Sequence, residues 1–485
     1  MKKRVTDYTL YKWRYAIGYG LLGLLVIGAL AIAGLYLPAS LRQSEMTSSL
    51  ASGALSVSSI DPQTIVNLPY HLLQRVSFML FDVTTFSIKL PSLVLALFTV
   101  FGIFLLVNTW FRRNIAVIVA AIAATTPQFL FLAQDGTPGI TFSFVAVWLL
   151  VSCTYMTRAK YFKTFWKVMT CVLTAIAFYI PLGVYLVIAL AITASLHPHI
   201  RYMIRKIAKV RLVIAIVLGV VALIPLIQTI IIDHSVALTL LGFPADGVNL
   251  QQNVVTVGMD LFGFFLASDS HLLRPLYSLG AIILMAVGTY KFLTVNYTAR
   301  SYTLFIMAFF IIPLIIINPH LITSLYPLAI LVIAMGVTTL IDNWYKLFPR
   351  NPYARIAGLV PISIFIVGMI FTGMSRYTNN YAYNVAVLSS YNNDLSVLLH
   401  TITTESKDSS SINVVTTAAE EPFYQLVARY NTHFTVNDSD AKANTIIVTH
   451  DQYHAAHPTG AIDTIVTNRY LATSDRFYIY KSADK

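Results

Sequence analysis

Asp135 stands in "FLAQDGTPGITF", residues 131–142, a Gly/Pro turn between two strongly apolar stretches. Gly136, Pro138 and Gly139 give the bend its backbone freedom and its stop. The carboxylate has two readings. It either steadies the turn through an Asx-type bond, or it is half of a reactive site at the edge of an apolar layer, where a carboxylate can take a proton from a hydroxyl or partner one that does. Ten acidic residues precede residue 375, and eight of them (Glu45, Asp61, Asp82, Asp135, Asp233, Asp246, Asp260 and Asp269) fall in one set of loops. The same loops hold four basic residues, Arg42, Arg75, Lys89 and Arg274. Together with His71 and His320 these are candidate contacts for a group that develops negative charge, such as a phosphate. Each singly could also anchor an interfacial helix to lipid headgroups.

The elements that must position these residues are apolar. Of 485 residues, 57% are hydrophobic and only 11% charged, against roughly 25% charged in a soluble protein. The mean hydropathy is +0.70. Apolar runs of about 18 residues or more recur, which makes the chain an integral, multi-pass membrane protein. The +12 net charge is not a nucleic-acid footprint, because the basic residues sit in short loops between apolar runs. Cys153 and Cys171 lie inside apolar segments at neither metal-site nor redox-motif spacing. Residues 15–37 are too long for a signal-peptide core and are expected to be an uncleaved first span.

Eleven spans are expected, near 15–37, 91–108, 114–132, 139–157, 168–178, 181–196, 212–232, 275–290, 302–317, 321–341 and 355–374. With the N-terminus in the cytoplasm, twenty-one of the 33 Lys and Arg fall inside, against four in the outer loops before the tail. The positive-inside rule then puts the tail outside. The expected domains are a helical membrane domain, 1–374, with long outer loops 38–90 and 233–274, and a small extracytoplasmic α/β domain, 375–485. In the first loop, "NLPYHLLQRVSFMLF" places Leu68, Leu72, Leu73, Val76, Met79 and Leu80 at helical spacing, as an interfacial helix would. The tail alternates strand-like runs ("INVVTTA", "NTIIVTH", "DTIVTN", "RFYIYKS") with a helical run, "EEPFYQLVARY". It has no phosphate loop, metal-ligand cluster or hydrolase elbow, and His433, His450, His454 and His457 read as surface residues.

Three stretches of the first loop, "RQSEMTSSLASG" (42–53), "NLPYHLLQRVSFMLFD" (67–82) and "KLPSLVLAL" (89–97), are joined by "LAQDGTPGITF" and by "NPHLITSLYPLAILVIA" (318–334). In this order they resemble the polytopic glycosyltransferases of the GT-C superfamily, in particular the protein O-mannosyltransferases and the lipid A aminoarabinose transferases. That pattern has an acidic motif after the first span, a proline and an aromatic before an interfacial helix, an Arg-Leu-Pro-Ser entry to the second span, and a proline-rich entry to a late one. Three positions depart from it. Asp-Glu is Ser44-Glu45, a basic residue before the loop proline is Leu68, and the Arg of Arg-Leu-Pro is Lys89, which keeps the charge without the bidentate fork.

The resemblance implies transfer of a sugar from a polyprenyl-phosphate donor to an extracytoplasmic lipid, glycan or protein acceptor, with membrane lipids as surroundings and no nucleic acid. It implies Glu45 and Asp135 as catalytic carboxylates, Glu45 as the general base and Asp135 as base partner, metal ligand or sugar-binding group, with His71, Arg75, Lys89, Arg274 and His320 toward the donor phosphate. No cofactor is required, though a divalent cation could serve the phosphate. One base and a single displacement predict inversion at the anomeric carbon, by analogy with inverting hydrolysis. The missing first acid leaves open a catalytically degenerate scaffold, and the polytopic build leaves open a polymerase or ligase of lipid-linked glycans. A transporter would place ionisable residues within spans and show repeats, and neither is visible here.

Overall fold

A computed structural model describes residues 9–36, 40–55, 62–158, 161–205, 209–244, 247–264, 274–294, 298–348, 352–391, 393–405, 412–431, 433–437, 445–453, 462–467 and 475–481. The long apolar runs form helices. The chain enters through α1 (Thr9–Ala31), and the first loop carries α2 (Gln43–Ala54), a short turn α3 (Pro62–Ile65) and α4 (Leu68–Phe81). Next come α5 (Thr85–Trp110), α6 (Arg113–Thr125), α7 (Pro127–Gln134), α8 (Thr141–Arg158), α9 (Lys163–Ala177), α10 (Gly183–Leu196), α11 (Pro198–Arg205) and α12 (Lys209–Ile232). After α13 (Ser235–Leu240) and α14 (Leu250–Phe262), the membrane part closes with α15 (Leu279–Thr294), α16 (Ala299–Ile317), α17 (Tyr326–Leu347) and α18 (Pro352–Tyr383). The last span thus continues beyond residue 374.

Among the described residues six helices are long and apolar enough to cross a membrane, and the pair α6 and α7, bent by 62°, has the length and composition of a broken span or a re-entrant loop. Pro127 opens α7 at that bend, where a proline costs no helical hydrogen bond. The other expected spans are met by shorter helices. The apolar stretches 183–196, 217–232 and 279–294 and the 15-residue α9 fall short of the roughly 20 residues that a hydrocarbon core of about 30 Å requires. The expected number of eleven therefore stands as six to seven full-length spans plus short apolar helices. The weak point expected near Tyr179–Pro181 is a real break. Leu182 takes a left-handed backbone (φ 65°), and a Cβ at Gly183 would lie 1.9 Å from the carbonyl oxygen of Ala177. Backbone bonds from Asn67 to Tyr179 and from Leu182 to Leu240 hold the turn.

The first loop is built as its pattern predicts. On α4, Leu72, Leu73, Val76, Met79 and Leu80 are exposed while Tyr70, His71, Gln74, Ser77 and Phe78 are buried. An apolar face turned outward and a polar face turned inward suit a helix lying in the membrane interface. Thr84 then caps α5 by accepting from Ser87 N–H at 3.1 Å while the Ser87 hydroxyl accepts from Thr84 N–H at 2.9 Å, which fixes where Lys89 emerges.

The tail forms α19 (Val385–Ser390), α20 (Leu395–Glu405), β1 (Ile412–Val415), α21 (Glu421–Tyr430), β2 (Phe434–Val436), β3 (Thr445–Thr449), β4 (Ile462–Thr467) and β5 (Asp475–Lys481). The sheet order is β2-β1-β3-β5-β4, parallel around β1 and antiparallel around β5. It does not stand apart from the membrane part. Leu41, Met46, Phe78, Val83 and Ile88 share one core with Leu395, Phe423, Leu426 and Phe477. A Cβ on Gly53 of α2 would lie 2.5 Å from Leu426 of α21. At the other end of the bundle the basic loops meet, through Arg112 with Asp342, Arg158 with the Thr109 carbonyl, and Arg300 with the Trp110 carbonyl.

Candidate active site

Arg42 is the residue before α2 and Glu45 is three residues further on. A glutamate there can reach back to the free N–H groups of a helix start, and Glu45 Oε2 accepts from the Arg42 backbone N–H at 2.8 Å. Its other oxygen is taken from far along the chain. Glu45 Oε1 accepts from the Gly136 N–H at 2.7 Å, and the Lys89 ammonium stands 3.8 Å away. A Cβ at Gly136 would meet Ile88 Cγ2 at 2.6 Å and Glu45 Oε1 at 3.2 Å, so the bare backbone lets the Asp135 turn close on the carboxylate.

Asp135 lies beside it. Its Oδ2 faces Arg42 Nη2 at 2.7 Å and accepts from the Thr137 hydroxyl at 2.8 Å. A side-on arginine–carboxylate pair normally makes two parallel bonds. Here the second is missing: Arg42 Nε and Asp135 Oδ1 are both buried without a hydrogen-bond partner. The guanidinium rests 4.8 Å from the Phe131 ring and 5.6 Å from the Tyr391 ring. Lys89, from the first turns of α5, donates to Gln134 Oε1 at 3.2 Å and to the Ser40 carbonyl at 3.3 Å, again 5.6 Å from Tyr391.

Two carboxylates and two cations from α2, α5 and the α7 turn therefore form one buried group without net charge. Glu45 is 0% exposed and Lys89 1%. Burial pushes the Glu45 carboxyl above its usual range, and the Lys89 ammonium pulls the other way. Buried ion pairs seldom add stability over apolar packing, and a titratable cluster shifted by burial and charge is a mark of functional sites. The packing reading accounts for Glu45, whose two oxygens cap α2 and clasp the turn. It does not account for the open half of the Arg42–Asp135 fork.

The other expected residues lie elsewhere. His71 is buried on α4, with Nδ1 2.8 Å from the Ser52 hydroxyl, and burial lowers its pKa to about 4. Neutral at ordinary pH, it suits a hydrogen bond between α2 and α4 better than a charge on a phosphate. Its neighbour Gln74 donates to the carbonyls of Ile88 and Gly136 at 3.0 Å each, so this network braces the charged cluster from behind. Arg274 pairs with Asp260 at 2.6 Å. His320 is exposed in the 3-10 turn Pro319–Leu325, and Arg75 is half-buried on α4. Asp269 and His271 lie outside the described residues. The sequence reading missed Gln134, Tyr391 and Ser40. Gln134 adjoins Asp135 in the chain, whereas Tyr391 in "LSSYNND" carries no local signal.

A divalent cation does not suit this donor set as it stands. No three His, Cys, Asp or Glu come together among the described residues, and both carboxylates already face a cation.

Residues 67–228 match the sequence model of a family described as dolichyl-phosphate-mannose-protein mannosyltransferase. In three dimensions the chain is similar to ArnT from Cupriavidus metallidurans in the apo state (13% identity, 96% of this chain and 98% of that one, TM-score 0.51). It is similar to the same protein bound to undecaprenyl phosphate (13% identity, 98% of each chain, TM-score 0.52). A third likeness is to the Archaeoglobus fulgidus oligosaccharyltransferase tethered with an acceptor peptide containing the NVT sequon (11% identity, 89% of this chain and 65% of that one, TM-score 0.52). No curated protein matches the chain. At such identities the structures carry the fold, and the matched sequence model carries the class. The chain has the fold of these proteins, and its residues 67–228 match a mannosyltransferase family. Within this fold, the charged cluster is built from the first loop, the entry of α5 and the turn after α7.

Proposed function

We propose that the chain moves a sugar from a polyprenyl-phosphate donor to a hydroxyl of an extracytoplasmic acceptor, with Arg42, Glu45, Lys89 and Asp135 as the reaction centre. The open half of the Arg42–Asp135 fork carries this reading. A hydroxyl accepts one hydrogen bond and donates another, the two bonds that Arg42 Nε–H and Asp135 Oδ1 leave unmade. Asp135 then takes the proton as the hydroxyl oxygen forms a bond to the anomeric carbon. The bond from that carbon to the phosphate oxygen breaks, and polyprenyl phosphate leaves as an anion beside Lys89 and Arg42. Glu45, both oxygens engaged, holds the Asp135 turn and Lys89 in register. A single displacement inverts the anomeric carbon.

An apolar cavity of about 960 Å³ supports a lipid-borne donor. Leu68, Leu72 and Val76 of α4 line it together with Val168 and Val172 of α9 and Leu218 of α12. It is on the outward face of the helix whose inward face braces the cluster. The ArnT structure with undecaprenyl phosphate supports the same donor class.

Sealed vesicles test both the chemistry and the side. Cysteine introduced at exposed Thr404 should be labelled from the face where product accumulates, and cysteine at exposed Arg201 should not. The product should carry the anomeric configuration opposite to the donor's. Product on the Arg201 face, or retained configuration, would refute the reading.

A further inference from the structure

The segment between α19 and α20 reaches back into the charged cluster. Leu41 and Asn393 exchange backbone hydrogen bonds, Leu41 N–H to Asn393 at 2.7 Å and Asn393 N–H to Leu41 at 3.2 Å. This antiparallel bridge lays the chain around Tyr391 alongside the approach to Arg42. On one side of the bridge the Ser40 hydroxyl donates to Asp394, and Asp394 Oδ2 pairs with Arg476 Nε of β5 at 2.9 Å. Both charges are buried, at 1% and 6% exposure. On the other side the Ser40 carbonyl accepts from Lys89. Tyr391, 2% exposed, puts its ring within 5.6 Å of both the Arg42 and the Lys89 cation. Its hydroxyl accepts from Gln134 Nε2 at 2.9 Å, and Gln134 in turn accepts from Lys89.

Three of the features that fix Lys89, namely the Ser40 carbonyl, the Gln134 amide and the Tyr391 ring, are thus set by the C-terminal domain. A plain domain contact would need only the apolar core that α20, α21 and the sheet already share with the first loop. It would not need a ring beside two cations, nor a buried ion pair linked to Lys89 through Ser40. An aromatic face attracts a cation less strongly than a carboxylate does. It therefore holds Arg42 and Lys89 in place while leaving their charge available to an incoming anion.

We propose that Tyr391, backed by the Asp394–Arg476 pair, is a positioning device by which the C-terminal domain sets the two cations for the donor phosphate. The proposal rests on the reading of the cluster as the reaction centre. The carboxylates beside these cations, Glu45 and Asp135, are also faced by Tyr70 of α4 and Tyr377 of α18.

The test compares Tyr391→Phe with Tyr391→Leu, with Arg476→Lys as a second site. Phenylalanine keeps the ring and leucine removes it. Tyr391→Leu should lower kcat/KM about tenfold and move the acid limb of the pH profile upward, because Lys89 and Arg42 both oppose the burial that raises the Glu45 carboxyl. Tyr391→Phe should keep the limb and most of the rate, and Arg476→Lys should fall between the two. Binding of undecaprenyl phosphate, read as a ligand-induced rise in melting temperature, gives a readout independent of turnover. Tyr391→Leu should weaken it and Tyr391→Phe should not. A leucine variant with wild-type limb and lipid binding would overturn the proposal. So would equal losses in both Tyr391 variants with an unmoved limb, which is the outcome of a purely structural role. A wild-type chain that binds the lipid phosphate and never transfers would instead refute the transferase reading, and the lipid-binding comparison would still decide this one.

Discussion

Asp135→Asn is expected to lower sugar transfer by about 10²–10⁴-fold, the range that general base catalysis supplies, while the protein folds and binds donor lipid. The asparagine keeps the shape of the turn and the Thr137 contact but has no carboxylate oxygen to take a proton. Glu45→Gln should also impair transfer, through a different route. It weakens the clasp on Gly136 and the approach of Lys89, so its loss should be smaller. The double variant should lose less than the product of the single effects, because both residues serve one site. Full activity in Asp135→Asn together with a dead Glu45→Gln would move the base to Glu45. Full activity in both would remove the cluster from the chemistry altogether.

Lys89→Met carries the largest expected effect on stability. Methionine fills the space but leaves Glu45, 0% exposed, as a buried carboxylate short of its nearer cation. Removing one partner of a buried pair costs about 3–5 kcal/mol. The variant should therefore melt well below wild type in detergent, and its loss should shrink as pH falls and Glu45 takes a proton. The sign follows from the folded-state carboxyl, which burial raises and the loss of Lys89 would raise further: protonation removes the uncompensated charge. Glu45→Gln introduced into Lys89→Met should restore much of the melting temperature. If the double variant melts no higher than Lys89→Met, the two charges are not coupled as the geometry indicates.

Much of this arrangement was legible in the sequence, to the extent that the sequence patterns were local. Hydropathy runs located the helices, and the 3.6-residue pattern of "NLPYHLLQRVSFMLF" placed Leu72, Leu73, Val76, Met79 and Leu80 on one face, as α4 has them. The strands β1, β3, β4 and β5 followed from their apolar β-branched and aromatic runs. β2, three residues long, has no pattern of its own and exists through its pairing with β1. Crossing lengths were less legible, because hydropathy does not reveal where Pro127 bends a span or where α10 and α15 stop short. Glu45 and Asp135 stood out as acids at the edges of apolar runs, but what joins them is a bond from the Gly136 N–H to Glu45 across 91 positions. Arg274 shows the same limit. The sequence offers it as a phosphate contact, and only the fold reveals that Asp260 holds it at 2.6 Å. Tyr391 and Arg476 reach the cluster from the far end of the chain, through a domain whose own pattern points to no chemistry.

A structure of the chain bound to a non-transferable polyprenyl-phosphate sugar would test the central claim most directly. The account predicts the donor phosphate at ion-pair distance from Lys89 or Arg42, the anomeric carbon facing Asp135 Oδ1, and the lipid tail in the cavity against Leu72 and Val76. A phosphate held by Arg75, His320 or Arg274, with the Arg42–Asp135 pair still closed and the tail elsewhere, would contradict it.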